Sequence, residues 1–328
     1  MQNPFTLTFS KVPEYTYIPT DQTDEILIGL ASEPVFRITG VRGSGKTVML
    51  ARIEQVLRSE EKRAEGWLVF DLNPTRDMLR QTAAMLEAEG FGIPEVRNSG
   101  VSDIVVAVGM MLGEVKAKGR RILFAVDEVS KTEEMVRFLS EFGKWMEESY
   151  PVYLVCTGLY ENLAEVNNIK ALGFFKKAST VITGPLNTVR MAGMYRLRLN
   201  VDIADARSMA ALTKGYAYAF QILGVMYFKR KEGETLDDVI SSFKSELYAG
   251  SYEKIWDDLT DGDRFLVRIL AQKDEYKREE ILPLMGGRKG NYSMYRDRLL
   301  KRGLVRARQG YISLSLPFFA DYIHEYSL

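Results

Sequence analysis

Between residues 34 and 184, short apolar runs alternate with longer stretches in which apolar side chains recur every three or four positions. The runs at 34–39, 66–72, 120–126, 151–157 and 179–183 are rich in β-branched and aromatic residues and predict strands. The stretches at 46–62, 75–89, 101–117, 131–149 and 159–166 have the three-to-four-residue spacing of helices. Such alternation predicts a largely parallel sheet covered on both faces. The run 121–126 has no polar positions between its apolar ones, as expected of a strand buried on both sides.

The pattern changes after residue 202. Ile203, Ala206, Met209 and Leu212, then the segment 216–224, then Leu236, Val239, Ile240, Phe243 and Leu247 are spaced as helices, so 202–249 reads as a small bundle with its aromatics in the core. The last segment predicts a helix from 259–263 with Phe265, Leu266, Ile269 and Leu270 inward, a second over 278–285 and a third over 291–302, stopped by Gly303. Two strands, 304–308 and 311–315, then flank the turn Gln309-Gly310. Three helices and a hairpin are the pattern of a winged helix. The expected division is an α/β domain at 1–185, a helical lid at 186–250 and a winged helix at 251–328.

Composition narrows the chemistry. A chain of 328 residues exceeds what one core organises, and 46% hydrophobic with 27% charged residues is ordinary for a globular protein. Lys+Arg and Asp+Glu are both 44, so any attraction to nucleic acid must be local. The single cysteine, Cys156, lies in a strand-like run and reads as a core thiol of a reducing compartment. One histidine, His324, excludes His-dependent triads, and the scarcity of both ligand types argues against zinc. No run approaches the ~18 apolar residues of a membrane span, and residues 1–33 lack a basic-then-apolar leader, so a cytoplasmic location without membrane contact is expected.

Two motifs carry the chemistry. Gly40-Val41-Arg42-Gly43-Ser44-Gly45-Lys46-Thr47 matches G-x-x-x-x-G-K-[ST] between a predicted strand and a predicted helix, where Val48 continues the first turn. Its glycines let successive amides converge on a phosphate at the positive end of the helix, Lys46 would bridge the β- and γ-phosphates, and the Thr47 hydroxyl would bind Mg²⁺. The run 121–126 ends in Asp127-Glu128. Asp127 would hold the metal, and Glu128 would orient and deprotonate the attacking water. An extra strand, supplied by 151–157, would place Asp127 beside Lys46, and its end would bring Thr157 close to the γ-phosphate; Thr157 also reads as a helix N-cap. Tyr17, Ile18 and Pro19 in the lead-in are candidates for adenine contact.

Between Gly286 and Gly310 stand Arg288, Lys289, Arg296, Arg298, Lys301, Arg302, Arg306 and Arg308, opposed by Asp297 alone. Arg288, Lys289, Asn291, Tyr292, Arg296, Arg306 and Arg308 are the candidate contacts to double-stranded DNA, with Ser293 in the same stretch; a solvated face of a module that docks on protein is the other reading.

The phosphate loop, Val126-Asp127-Glu128, Cys156-Thr157-Gly158, the segment 214–221 and the terminal winged helix together resemble the prokaryotic AAA-type P-loop ATPases. The chain is most similar to their archaeal-ATPase and STAND group, related to the origin-recognition and Cdc6 initiators. The resemblance covers nearly the whole chain and implies ATP and Mg²⁺ binding, slow hydrolysis and a nucleotide-governed movement of the winged helix; the residues leave both a monomer and a homo-oligomeric ring open. By position it makes Lys46 and Thr47 phosphate and metal ligands, Asp127 and Glu128 the hydrolytic pair, and Thr157 the first sensor. A finger from a neighbouring subunit would be Lys176, Lys177 or Arg190. The alternative function is a DNA-binding regulator or signalling scaffold that binds ATP without significant turnover.

Overall fold

The five apolar runs pair side by side as parallel strands. In the computed structural model, described for residues 2–92 and 103–326, they are β1 (Val35–Thr39), β2 (Trp67–Leu72), β3 (Arg121–Val126), β4 (Val152–Thr157) and β5 (Ser179–Ile182), in the order β2-β3-β4-β1-β5. Strand β4 lies between the strand that leads into the phosphate loop and the strand that ends in Asp127, with Ile38 opposite Thr157 and Val126 opposite Cys156. This is the slot expected for 151–157, and it sets the carboxyl ends of β1, β4 and β3 in one row. One face of the sheet is filled by Phe124, Leu154 and Cys156 under Phe138, Phe142 and Trp145; the other by Ile38, Leu123 and Val155 under Leu50 and Ile53.

The helical stretches appear with shifted ends. The run 46–62 is two helices, Lys46–Leu57 and Glu60–Ala64, because Ser59 takes an extended backbone and accepts the Lys62 amide, capping a new helix. Met78–Ala88, Ile104–Ala117, Glu133–Glu147 and Tyr160–Asn167 complete the layers; the expected start of the second of these, at 101–102, lies outside the described residues.

The described chain divides into two compact units. One comprises Asp21–Thr39 and Lys46–Val181; the other comprises Met1–Thr20, Gly40–Gly45 and Ile182–Leu328. The second unit is built on helices Thr188–Leu199, Ile203–Leu212, Ala217–Lys229 and Leu236–Leu247, then a π-helical turn Tyr248–Tyr252. It continues with Asp261–Leu270, the short strand β6 (Tyr276–Lys277), Arg278–Leu284, Tyr292–Lys301, and strands β7 (Val305–Arg308) and β8 (Tyr311–Leu314). The three helices and hairpin thus stand where the periodicity places them. Strand β6, which pairs with β8, and the helices Thr188–Leu199 and Phe319–Tyr326 are additions. A continuous apolar cluster joins Met191, Phe220 and Phe243 to Leu266, Leu299 and Phe319. The expected lid and winged-helix segments therefore share a core in this unit.

Candidate functional site

Three chain segments meet at the strand ends of the sheet unit. Helix Lys46–Leu57 begins immediately after the loop and carries no acidic side chain in its first turn, so its positive end is not neutralised from within. Lys46, Thr47 and Val48 are half-buried there. The Thr47 hydroxyl donates to Asp127 Oδ2 at 2.9 Å, and the Thr157 hydroxyl donates to Asp127 Oδ1. Thr157 in turn accepts the Glu128 amide at 3.2 Å, and its carbonyl accepts the Val129 amide at 2.8 Å.

The proton count at this cluster matters. Each threonine has one hydroxyl proton and spends it on Asp127, so Thr47 presents only lone pairs to anything else that approaches. Thr157 is not an N-cap: the next helix is capped by Leu159, with no side-chain bond, and the Thr157 hydroxyl gives its one proton to Asp127 and accepts the Glu128 amide. Glu128 is exposed and has φ +57°, a left-handed backbone that costs a non-glycine residue energy and is held here by the two amide hydrogen bonds to Thr157.

The donor set fits a hydrated divalent cation that receives further oxygens from a phosphate. One hydroxyl oxygen and one carboxylate are too few to cage a cation alone, and among the described residues no group of three or more His, Cys, Asp or Glu side chains is placed to do so. Glu54, buried on the same helix and paired with Arg58 at 2.8 Å, has its carboxyl pushed above the ordinary range by burial and then by Asp71.

The loop itself, 40–45, is held in the second unit. Gly40, Gly43 and Gly45 all have positive φ. At Gly43 (φ +76°) a Cβ would also run into the Tyr216 hydroxyl. The Arg42 carbonyl accepts a 2.6 Å bond from Tyr216 Oη, and the Gly43 carbonyl accepts the Tyr218 amide at 3.1 Å. Ser44 Oγ meets Thr183 Oγ1 at 2.6 Å, Val41 is buried, and the Arg42 guanidinium lies 3.7 Å from Asp258. Sequence reasoning places Tyr216 and Tyr218 in a helical core and misses Ser251 and Asp258. The signal that was present is a pair of tyrosines opening a helix just after Gly215.

The remaining sequence candidates separate. Ile18 is buried in the second unit's apolar cluster, and the Pro19 carbonyl accepts Arg190. Tyr292 is corrected as a base contact: it is 4% exposed, with the Arg278 guanidinium over its ring, because it is an inward position of its helix. Asn291 donates to Tyr295 Oη. Three of the eight cations are also committed elsewhere. Arg298 grips buried Asp263 through Nε at 2.8 Å, Arg302 is 7% exposed and lies 4.0 Å from the same carboxylate, and Lys301 pairs with Asp297 at 2.7 Å. Arg288 (over Phe265), Lys289, Arg306 and Arg308 are exposed, and Arg296 is half-buried.

Comparison with known proteins bears on the fold. A family model described as "Domain of unknown function (DUF8462)" matches residues 249–323. No curated protein matches the chain. Among solved structures, the Walker-type ATPase PABY2304 of Pyrococcus abyssi superposes with a TM-score of 0.64 at 13% identity, covering 98% of this chain and 99% of that one. The ORC2 protein of Aeropyrum pernix, solved as ADPNP–ADP complexes, gives a TM-score of 0.54 at 12% identity, covering 95% and 96%. The chain has the fold of the AAA-type P-loop ATPases. Within that class its likeness is to the archaeal Walker-type and origin-recognition forms. Among the described residues no helix is long and apolar enough to cross a membrane.

Proposed function

We propose that this chain binds ATP with Mg²⁺ at residues 40–47 and hydrolyses it slowly, the nucleotide state governing how the C-terminal winged helix is held. The observation that carries the reading is the hydrogen-bonded cluster Thr47–Asp127–Thr157 at the ends of neighbouring parallel strands, directly after the loop. The fold likeness to a protein solved with ADPNP and ADP supports it.

In this reading the loop amides and the helix end at Lys46 receive the β-phosphate, and the Lys46 ammonium bridges toward the γ-phosphate. Thr47 and Asp127 would hold the cation, which supplies charge neutralisation between the phosphates when bound. Asp127 is fixed by two hydroxyls, so its free lone pairs are presented in one orientation. Glu128 is the general base: its backbone is pinned by Thr157 while its carboxylate faces solvent, where an attacking water is accessible. Glu128→Gln should keep ATP affinity while turnover falls about a hundredfold or more; unchanged turnover would remove Glu128 from that role.

Arg288, Lys289, Arg306 and Arg308 are the exposed cations open to a duplex phosphate backbone. Electrophoretic shift at several salt concentrations tests this: Arg306→Ala and Arg308→Ala each delete one phosphate ligand, and each should reduce the salt slope by about one. The second reading is a scaffold whose winged helix docks on protein and whose ATP turns over little. Leu284 and Met294, 48% and 53% exposed on the same module, favour it, and absence of any shift at low salt would select it.

A further inference from the structure

Two successive carbonyls of the phosphate loop are held from outside by the start of helix Ala217–Lys229. Tyr216 Oη contacts the Arg42 carbonyl at 2.6 Å and Ser251 Oγ at 2.8 Å, and the Tyr218 amide holds the Gly43 carbonyl. A phenol has one proton, and a carbonyl can only accept. Tyr216 therefore donates to Arg42, and Ser251 must donate to Tyr216. Burial pushes the Tyr216 hydroxyl far above its ordinary range, so that proton stays in place at any working pH.

The relay runs Ser251 hydroxyl to Tyr216 hydroxyl to Arg42 carbonyl, and all three groups are in the second unit. Because a trans peptide is planar with its carbonyl and amide opposed, holding the Arg42 carbonyl against Tyr216 turns the Gly43 amide the other way. Ser251 sits on the π-helical turn Tyr248–Tyr252, within the segment that the family model matches. Its neighbour Gly250 is a place where a Cβ would strike the Tyr218 hydroxyl, so the same turn abuts both tyrosines. Single π-turns of this kind interrupt a helix at a cost and recur at functional positions.

We infer that Tyr216, oriented by Ser251, is a positioning residue for polyphosphate binding: it sets the Arg42–Gly43 peptide so that the loop offers the Gly43 amide to a nucleoside di- or triphosphate. The inference rests on the nucleotide-binding reading above and adds a hydroxyl of the C-terminal segment to that site's machinery. It concerns binding, so ADP is as good a probe as ATP.

The test uses the full chain and the variants Tyr216→Phe, Ser251→Ala, the double variant, and Tyr195→Phe. The last removes an equally buried hydroxyl, bonded to the Phe220 carbonyl, that does not touch the loop. Calorimetric titration with ADP should show affinity falling about three- to tenfold in Tyr216→Phe, the worth of roughly one net hydrogen bond. Ser251→Ala should fall less, and the double variant no further than Tyr216→Phe. In the ligand-free protein, amide hydrogen exchange over 41–45 should quicken in Tyr216→Phe and stay unchanged in Tyr195→Phe. Unaltered ADP affinity in a folded Tyr216→Phe protein, or an equal loss in Tyr195→Phe, would overturn the inference. If the unmodified protein binds no nucleotide, the functional reading fails instead, and the exchange comparison alone then decides whether Tyr216 holds the loop.

Discussion

Three side chains show how single groups are committed by their surroundings. Cys156 is fully buried on β4, and burial pushes its thiol up to about 12, with Arg37 opposing. Almost no thiolate exists at pH 8, so alkylation of the folded protein should proceed only as fast as the chain opens, measured as labelling rate against denaturant; fast labelling without denaturant would contradict this. Glu54 is raised by burial first and by Asp71 and Asp127 after it, while Arg58 lowers it. The folded protein keeps that proton at pH values where the unfolded chain has lost it. Stability from this group is therefore present at the ordinary carboxylate range and lost as pH rises through the raised value. Glu54→Gln should gain stability relative to the parent as pH rises through that window, read from melting temperatures across pH; a pH-independent difference would rule the titration out. The acid pair Asp127-Glu128 was legible because an apolar run closing on two adjacent carboxylates is a local pattern, visible without the fold. Buried Arg37 was not, since a lone cation in a short strand carries no mark of the Asn167 and Ala178 acceptors that hold it.

At the scale of elements, the joint between helices Asp261–Leu270 and Tyr292–Lys301 is ionic as well as apolar. Thr260 caps the first helix, donates to Asp263, and accepts from Arg298, whose Nε also meets both oxygens of that carboxylate. Asp263 is wholly buried, so Asp263→Ala leaves Arg298 and Arg302 without their acid and should cost about 3–5 kcal/mol in denaturant unfolding. Replacing both Asp263 and Arg298 by apolar residues should recover most of the loss; no recovery would contradict a pair held by charge. The sequence shows eight cations here but not this partnership, because Asp263 lies 35 positions before Arg298. The five strands of the parallel sheet and the hairpin were legible almost to the residue, for short β-branched apolar runs and the Gln309-Gly310 turn are local signals, whereas the two-residue strand β6 is too short to leave one. The break at Ser59 and the π-turn at Tyr248–Tyr252 were not, since one depends on a cap that competes with an unbroken apolar period and the other on packing of distant tyrosines.

For the whole molecule, the central claim is that an anionic nucleotide tail is received at residues 40–47. Equal numbers of cationic and anionic residues give the chain no net charge with which to attract that tail, so affinity must come from the site itself. A ligand that binds only the folded chain also raises its melting temperature with concentration, and Mg-ATP should do so for the parent and for Glu128→Gln alike. The loop and acid pair made this claim legible in the sequence. Tyr216 and Ser251 stand 174 positions and more beyond Arg42 and join the loop only through the fold. The most direct measurement is calorimetric titration of Mg-ATP into the parent protein and into Lys46→Ala. The account predicts saturable binding at one site per chain in the parent and its loss in the variant; no binding to the parent, or undiminished binding to Lys46→Ala, would contradict it.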